Sequence, residues 1–174
     1  MGKHWQLLTP DPALVRLLGD ALGCHPVVAA LLANRGLRTP DQAQSFLNPA
    51  LSRLRPPNDL AGLEPAVQRI ARALTAHEPI LVFGDYDVDG TTATAVLVEF
   101  LSACGAQVSY YIPHRLNEGY GLQPRHVGEV MVPRGARLVI TADCGIGSHD
   151  AVRAAAQAGI DVIVTDHHTV SGDL

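Results

Sequence analysis

Lysine is nearly missing from this sequence: Lys3 is the only one among thirteen basic residues, and every later cation is arginine. That skew fits a compositional bias and carries no mechanistic reading of its own. Soft metal ligands are also scarce. Cys24, Cys104 and Cys144 are odd in number and contain no Cys-x-x-Cys spacing, which excludes a disulfide framework and a thiolate zinc cluster. They read as reduced thiols of a cytoplasmic protein. No apolar run approaches the ~20 residues a membrane span needs, so no membrane partner is expected. Met1-Gly2-Lys3-His4-Trp5 lacks the apolar core of a signal peptide, and export is not expected. Positive charge is short as well: the net charge of −4 argues against a free-standing basic nucleic-acid binder. A nucleic-acid substrate would have to be held by bound metals, a few placed arginines, or segments outside these residues.

What is present is a folded-protein composition, 47% hydrophobic and 17% charged, in a length suited to one domain with a small appendage. Residues 1–76 read as a small helical layer. Pro26 opens one helix, which Gly36 closes, and Thr39-Pro40-Asp41-Gln42 is a capping box with proline at the first helical position. Residues 51–58, with Pro56-Pro57, read as a linker, and a helix from Glu64-Pro65 follows. From residue 77 the pattern becomes α/β. Apolar strands are expected at 80–83, 107–112, 137–141 and 161–165, with helices at about 91–103, 124–131 and after Ser148. Such alternation implies right-handed crossovers and a parallel sheet with helices on both faces.

Three strands run into polar clusters: Asp85, Asp87 and Asp89 after the first, Asp143 after the third, and Asp166, His167 and His168 after the fourth. Ligands of open parallel sheets bind at the carboxyl ends of their strands. A single aspartate there is ordinarily a turn or cap residue. Five gathered at one edge would repel one another unless cations compensate them. Mg²⁺ and Mn²⁺ prefer carboxylate oxygen, and Mn²⁺ also accepts imidazole. Two such ions can share a bridging carboxylate and serve phosphate-ester hydrolysis.

These clusters resemble the first three signature motifs of the DHH phosphoesterase superfamily: Asp85-Tyr86-Asp87-Val88-Asp89-Gly90, Asp143-Cys144-Gly145 and Asp166-His167-His168. Leu32-Ala33-Asn34-Arg35-Gly36, Phe46-Leu47-Asn48-Pro49 and the run from Tyr111-Ile112-Pro113-His114-Arg115 through Leu116-Asn117-Glu118-Gly119-Tyr120-Gly121 are similar to its RecJ branch of single-strand-specific exonucleases. The resemblance implies a 5′→3′ exonuclease on single-stranded DNA, using two Mn²⁺ or Mg²⁺ ions in DNA repair and recombination. A single-strand-binding protein and a helicase are the partners it suggests. Carried onto this sequence, Asp85 and Asp87 would hold one metal and Asp89 and His167 the other, with Asp143 as the bridge. His168 would contact the scissile phosphate. Arg115 is a candidate clamp for a terminal phosphate, and Tyr120 a candidate stacking surface for a base. The family continues past this point to a further metal-binding aspartate and a second domain. The chain is therefore expected to be a truncated first part, and inactive by itself.

Other readings compete. An oligoribonuclease, cyclic-dinucleotide phosphodiesterase or pyrophosphatase of the same superfamily would share the metal motifs but not the helical layer or the Arg115 loop. Asp87-Val88-Asp89-Gly90-Thr91 alone fits a haloacid-dehalogenase phosphatase, which needs a downstream lysine that the sequence lacks. A non-catalytic replisome scaffold would be expected to have lost ligands that are all present here.

Overall fold

The computed structural model describes His4 and residues 6–169, and the chain divides into two compact units, Met1–Pro56 and Pro57–Leu174. The first unit contains helices α1 (Pro12–Leu22), α2 (Pro26–Asn34) and α3 (Pro40–Leu47). Each begins with proline, whose missing N–H costs nothing at that position. Each is capped by a side chain. Asp11 accepts from the Ala13 N–H, His25 Nδ1 from Val27, and Thr39 from Gln42, while Gln42 Oε1 accepts in return from the Thr39 N–H at 3.3 Å. Leu18, Ala29, Leu32, Ala33 and Ala43 form the buried centre, and the alanines allow close helix approach. α1 adds to the sequence reading; Asp11-Pro12 and Gly23, the latter at φ +60°, are its start and stop signals.

The second unit runs α4 (Leu63–Thr75), β1 (Ile80–Gly84), α5 (Val88–Ala103), β2 (Val108–Tyr111), a π-helical turn at Val127–Met131, β3 (Leu138–Ala142), α6 (His149–Gln157) and β4 (Asp161–Ile163). All pairings are parallel, in the order β2-β1-β3-β4. The expected α/β architecture is present, with helices on both faces. Leu81, Phe83 and Val139 pack against the π turn and α6 through Val127, Met131, Ala151 and Ala155. Ile80, Val82, Leu138 and Ile140 pack on the other face against Ala73 and Leu101. β1 and β3 are buried at every position, which is why their sequences are unbroken apolar runs.

The compact units part at Pro56/Pro57, whereas the sequence reading set its boundary at 76/77. α4 belongs with the sheet for a physical reason: Ala73 and Ile70 lie in the core under β1 and β3. In addition, Arg69 of α4 bridges Glu78 and Asp161.

From β1 the chain crosses through α5 to β2 on one side, then returns to β3 on the other. The carboxyl ends of β1 and β3 therefore form the switch point of the sheet, where connections diverge and leave a crevice. Two glycines let α5 begin tightly against β1. A Cβ on Gly84 would stand 2.0 Å from Thr94 Oγ1, and one on Gly90 would stand 2.5 Å from the Asp85 carbonyl oxygen.

Candidate metal centre

Asp85 and Asp143 emerge from β1 and β3 side by side, because those strands are in register to Gly84 and Ala142. Main-chain bonds continue past the strands: the Asp85 N–H donates to the Ala142 carbonyl and the Asp143 N–H to that of Thr165, each at 3.0 Å. Asp143 adopts a left-handed conformation at φ +62°, a region that aspartate tolerates better than most residues. This turn puts its carboxylate beside that of Asp85.

The electrostatics are unfavourable for a bare protein. Asp85 is 2% exposed and Asp143 8%. Asp85 Oδ1 and both Asp143 oxygens are buried without a hydrogen-bond partner. His167 Nε2 approaches Asp143 Oδ1 at 2.9 Å, a close contact without hydrogen-bond alignment. Burial, and then the neighbouring Asp87 charge, push the Asp143 carboxyl above its ordinary value; burial does the same for Asp85. Buried carboxylates with free lone pairs are what a cation would satisfy.

Two groups of donors have ligand atoms within 4.8 Å of one another: Asp85, Asp87 and Asp143, and Asp143, His167 and His168. Asp143 is common to both. Carboxylates and imidazoles are donors that fit a hard divalent cation. Asp87 is also the N-cap of α5, accepting the Gly90 N–H at 2.9 Å. Asp89, expected as a ligand, lies in the first turn of α5, exposed and outside both groups. The helix starts at Val88, earlier than its apolar pattern suggests, because Asp87 caps it.

Asp166 has a role the sequence reading did not separate from the histidines. Its Oδ2 accepts the Ile146 N–H at 2.9 Å, and its Oδ1 lies 3.0 Å from the His168 N–H and 2.7 Å from His168 Nδ1. Burial would raise this carboxyl, but these donors outweigh it and hold it below the usual carboxylate range. In return the Asp166 hydrogen bond raises the His168 imidazole. His168 is thus oriented through Nδ1.

Tyr120 and Arg115 also reach this end of the sheet. The Tyr120 hydroxyl lies 3.2 Å from His168 Nδ1 and 3.5 Å from the Asp143 carbonyl oxygen. The Arg115 guanidinium sits 5.2 Å over the Tyr86 ring, beside Asp85. Their loop is anchored at Glu118, whose carboxylate accepts the Tyr111 hydroxyl at 2.8 Å and whose carbonyl accepts from Arg125 at 2.6 Å. His126, buried beneath it, accepts the Gln123 N–H on Nδ1; burial lowers its pKa and favours the neutral ring. A groove of about 370 Å³ opens between Tyr120, His168 and the Gly145-Ile146-Gly147-Ser148 turn. Ser148 precedes α6 but makes no side-chain cap bond. Cys144 faces the core, where burial pushes its thiol up to about 12.

A parallel sheet whose switch point gathers buried carboxylates and paired histidines defines an α/β protein built around a hard-cation site. The family described as "DHH family, N-terminal domain" matches residues 79–174, and the chain belongs to the DHH family. Over 171 residues it is 38% identical to the single-stranded-DNA-specific exonuclease RecJ of Bacillus subtilis, covering 98% of this chain and 22% of that protein. The RecJ of Thermus thermophilus is 41% identical over 167 residues, covering 95% and 24%. The chain thus spans about a quarter of the length of these relatives. Among solved structures, an exonuclease RecJ bound to manganese superposes with a TM-score of 0.61 at 46% identity, covering 66% of this chain and 29% of the other. A T. thermophilus RecJ complex with Mn²⁺ gives 0.62 at 36% identity, covering 96% and 23%. A Mg²⁺ complex from the same organism gives 0.53 at 33%, covering 93% and 19%.

Proposed function

We propose that the protein carrying this segment is a two-metal exonuclease hydrolysing phosphodiester bonds of single-stranded DNA with 5′→3′ polarity, in DNA repair and recombination. The observation that carries this reading is the pair of buried carboxylates at the switch point, with unpartnered oxygens and two imidazoles beside them. Mn²⁺ or Mg²⁺, when bound, supplies charge neutralisation and an activated water. Asp85, Asp87 and Asp143 would hold one ion and Asp143 and His167 the second, with Asp143 common to both. Asp89, outside both donor groups, is left without a ligand role in this assignment. His168, whose imidazole the Asp166 hydrogen bond raises, faces the scissile phosphate and is the proton donor to the departing oxygen. Arg115 clamps a terminal phosphate and Tyr120 lines the path of the terminal nucleotide. The free thiols Cys24, Cys104 and Cys144 fit a reducing compartment such as the cytoplasm. A single-strand-binding protein and a helicase are the partners this activity calls for.

The test is release of nucleotides from 5′-labelled and 3′-labelled single strands by the full-length protein, with Mn²⁺, with Mg²⁺ and with chelator. Early release of the 5′ label, abolished by chelator, is expected. Turnover of dinucleotides or pyrophosphate with single-stranded DNA left intact would overturn the reading.

A further inference from the structure

The two units carry opposite charge. Met1–Pro56 has six cations and three acids, net +3, while Pro57–Leu174 has seven cations and fourteen acids, net −7. Asp85, Asp87 and Asp143 of the second unit belong to the candidate metal centre, which draws on no residue of the first.

One arginine of that unit lies over an aromatic ring, and two more share a groove with it. Phe46, near the end of α3, is 51% exposed, an unfavourable placement for a large apolar side chain. The Arg35 guanidinium lies 5.5 Å over its ring. Phe46, Arg53 and Arg55 then line an open groove of about 750 Å³, together with Gln42, Ser45 and a single acid, Asp41. Arg53 Nη1 donates to the Asn48 carbonyl, which directs that side chain. Among the described residues none of these three arginines enters an ion pair, whereas Arg69 of the second unit has two. An exposed ring flanked by unpaired guanidinium groups is the chemistry that takes a stacked base and its adjoining phosphates.

We propose that this face of the N-terminal unit is a second binding surface for single-stranded nucleic acid, with a base stacked on Phe46 and phosphates held by Arg53 and Arg55. Arg35 braces the ring. The choice of a single strand rests on the nuclease reading, but the surface shares no residue with the metal centre and acts by binding alone.

The experiment measures fluorescence anisotropy of a labelled oligothymidine with the full-length protein across a salt series. Chelator is present so that the probe is not consumed. Charge reversal in R53E/R55E is expected to weaken binding at least tenfold. It should also flatten the salt dependence by about 1.4 in log–log slope, two phosphates at ~0.7 each. F46A is expected to weaken binding about tenfold at unchanged salt slope, the signature of a lost stack. All four side chains are exposed, so melting should not change; R53Q/R55Q carries the test if charge reversal lowers it. Parent-like affinity and slope in these variants would overturn the proposal. A protein that binds through this face yet never hydrolyses the strand would sink the nuclease reading alone. One that hydrolyses it while the variants bind normally would sink this inference alone.

Discussion

The N-terminal unit and the sheet unit use the same helix-start chemistry to different ends. Thr39 caps α3 in a reciprocal box, with its hydroxyl and the Gln42 amide each satisfied within the chain. Asp87 caps α5 just as locally, yet it also belongs to the donor group with Asp85 and Asp143. Among the described residues, the buried side-chain atoms without hydrogen-bond partners all lie in Pro57–Leu174. One unit completes its own polar accounting; the other leaves carboxylate oxygens open at its switch point. Three of those atoms, Asp85 Oδ1 and both Asp143 carboxylate oxygens, stand together at the switch point, where a cation would satisfy them.

Substitutions can break that contrast. Asp143→Asn should have the largest effect, lowering hydrolysis on the order of 10³-fold, the scale of losing one pre-placed charge-stabilising group. The same change should stabilise the metal-free protein, because a neutral amide replaces a buried, unpartnered charge. Its pH signature follows from the raised folded pKa. The unfolded carboxyl loses its proton first, near pH ~3.9, so folding stability falls as pH rises from there through the folded value. Thermal melts without metal at acidic and neutral pH should therefore show the variant's advantage growing with pH; a variant that melts lower at neutral pH would contradict the unfavourable-charge account.

Asp166→Asn comes next, at about 10- to 100-fold in activity, the usual cost of removing a residue that orients a ligand shell. Losing the hydrogen bond that raises His168 should also move the alkaline limb of the rate profile to lower pH. An unshifted limb would separate Asp166 from proton transfer. Gly90→Ala is expected to cost about 1–3 kcal/mol by overpacking, because the new methyl meets the Asp85 backbone rather than a movable side chain. Denaturant midpoints would measure it, and weaker Mn²⁺ binding should accompany it. Thr39→Ala, smallest of the four, should cost about 1 kcal/mol of stability while leaving turnover per folded molecule intact. A large loss of turnover there would erase the distinction between the units.

Much of this was legible in the chain. β1 and β3 were readable because strands buried on both faces need uninterrupted apolar residues, and the α3 box because Thr39, Pro40 and Gln42 each have one favoured place at a helix start. The strand-end position of Asp85, Asp143, His167 and His168 followed from the alternation of strands and helices. Other features depend on tertiary contacts. Ile70 and Ala73 look like any amphipathic helix face, so only packing under β1 shows that α4 belongs to the sheet. Asp87 and Asp89 differ by two positions, yet one caps and the other enters the helix, a distinction set by how closely Gly84 and Gly90 let α5 approach β1. The orienting role of Asp166 rests on the Ile146 amide, twenty positions away in sequence.

The pairing of strands also divides the metal centre by mobility. Asp85 and Asp143 directly continue the interior strands β1 and β3, which are buried at every position, so they adjoin the most cooperative part of the fold. His167 and His168 follow β4, a three-residue strand paired on one side among the described residues, and both rings are substantially exposed. Amide hydrogen exchange should find the Asp85 N–H, bonded to Ala142 of β3, opening only with global unfolding, and the N–H groups after β4 opening locally. Under the proposed function the carboxylates would be the fixed jaw and the imidazoles the movable one.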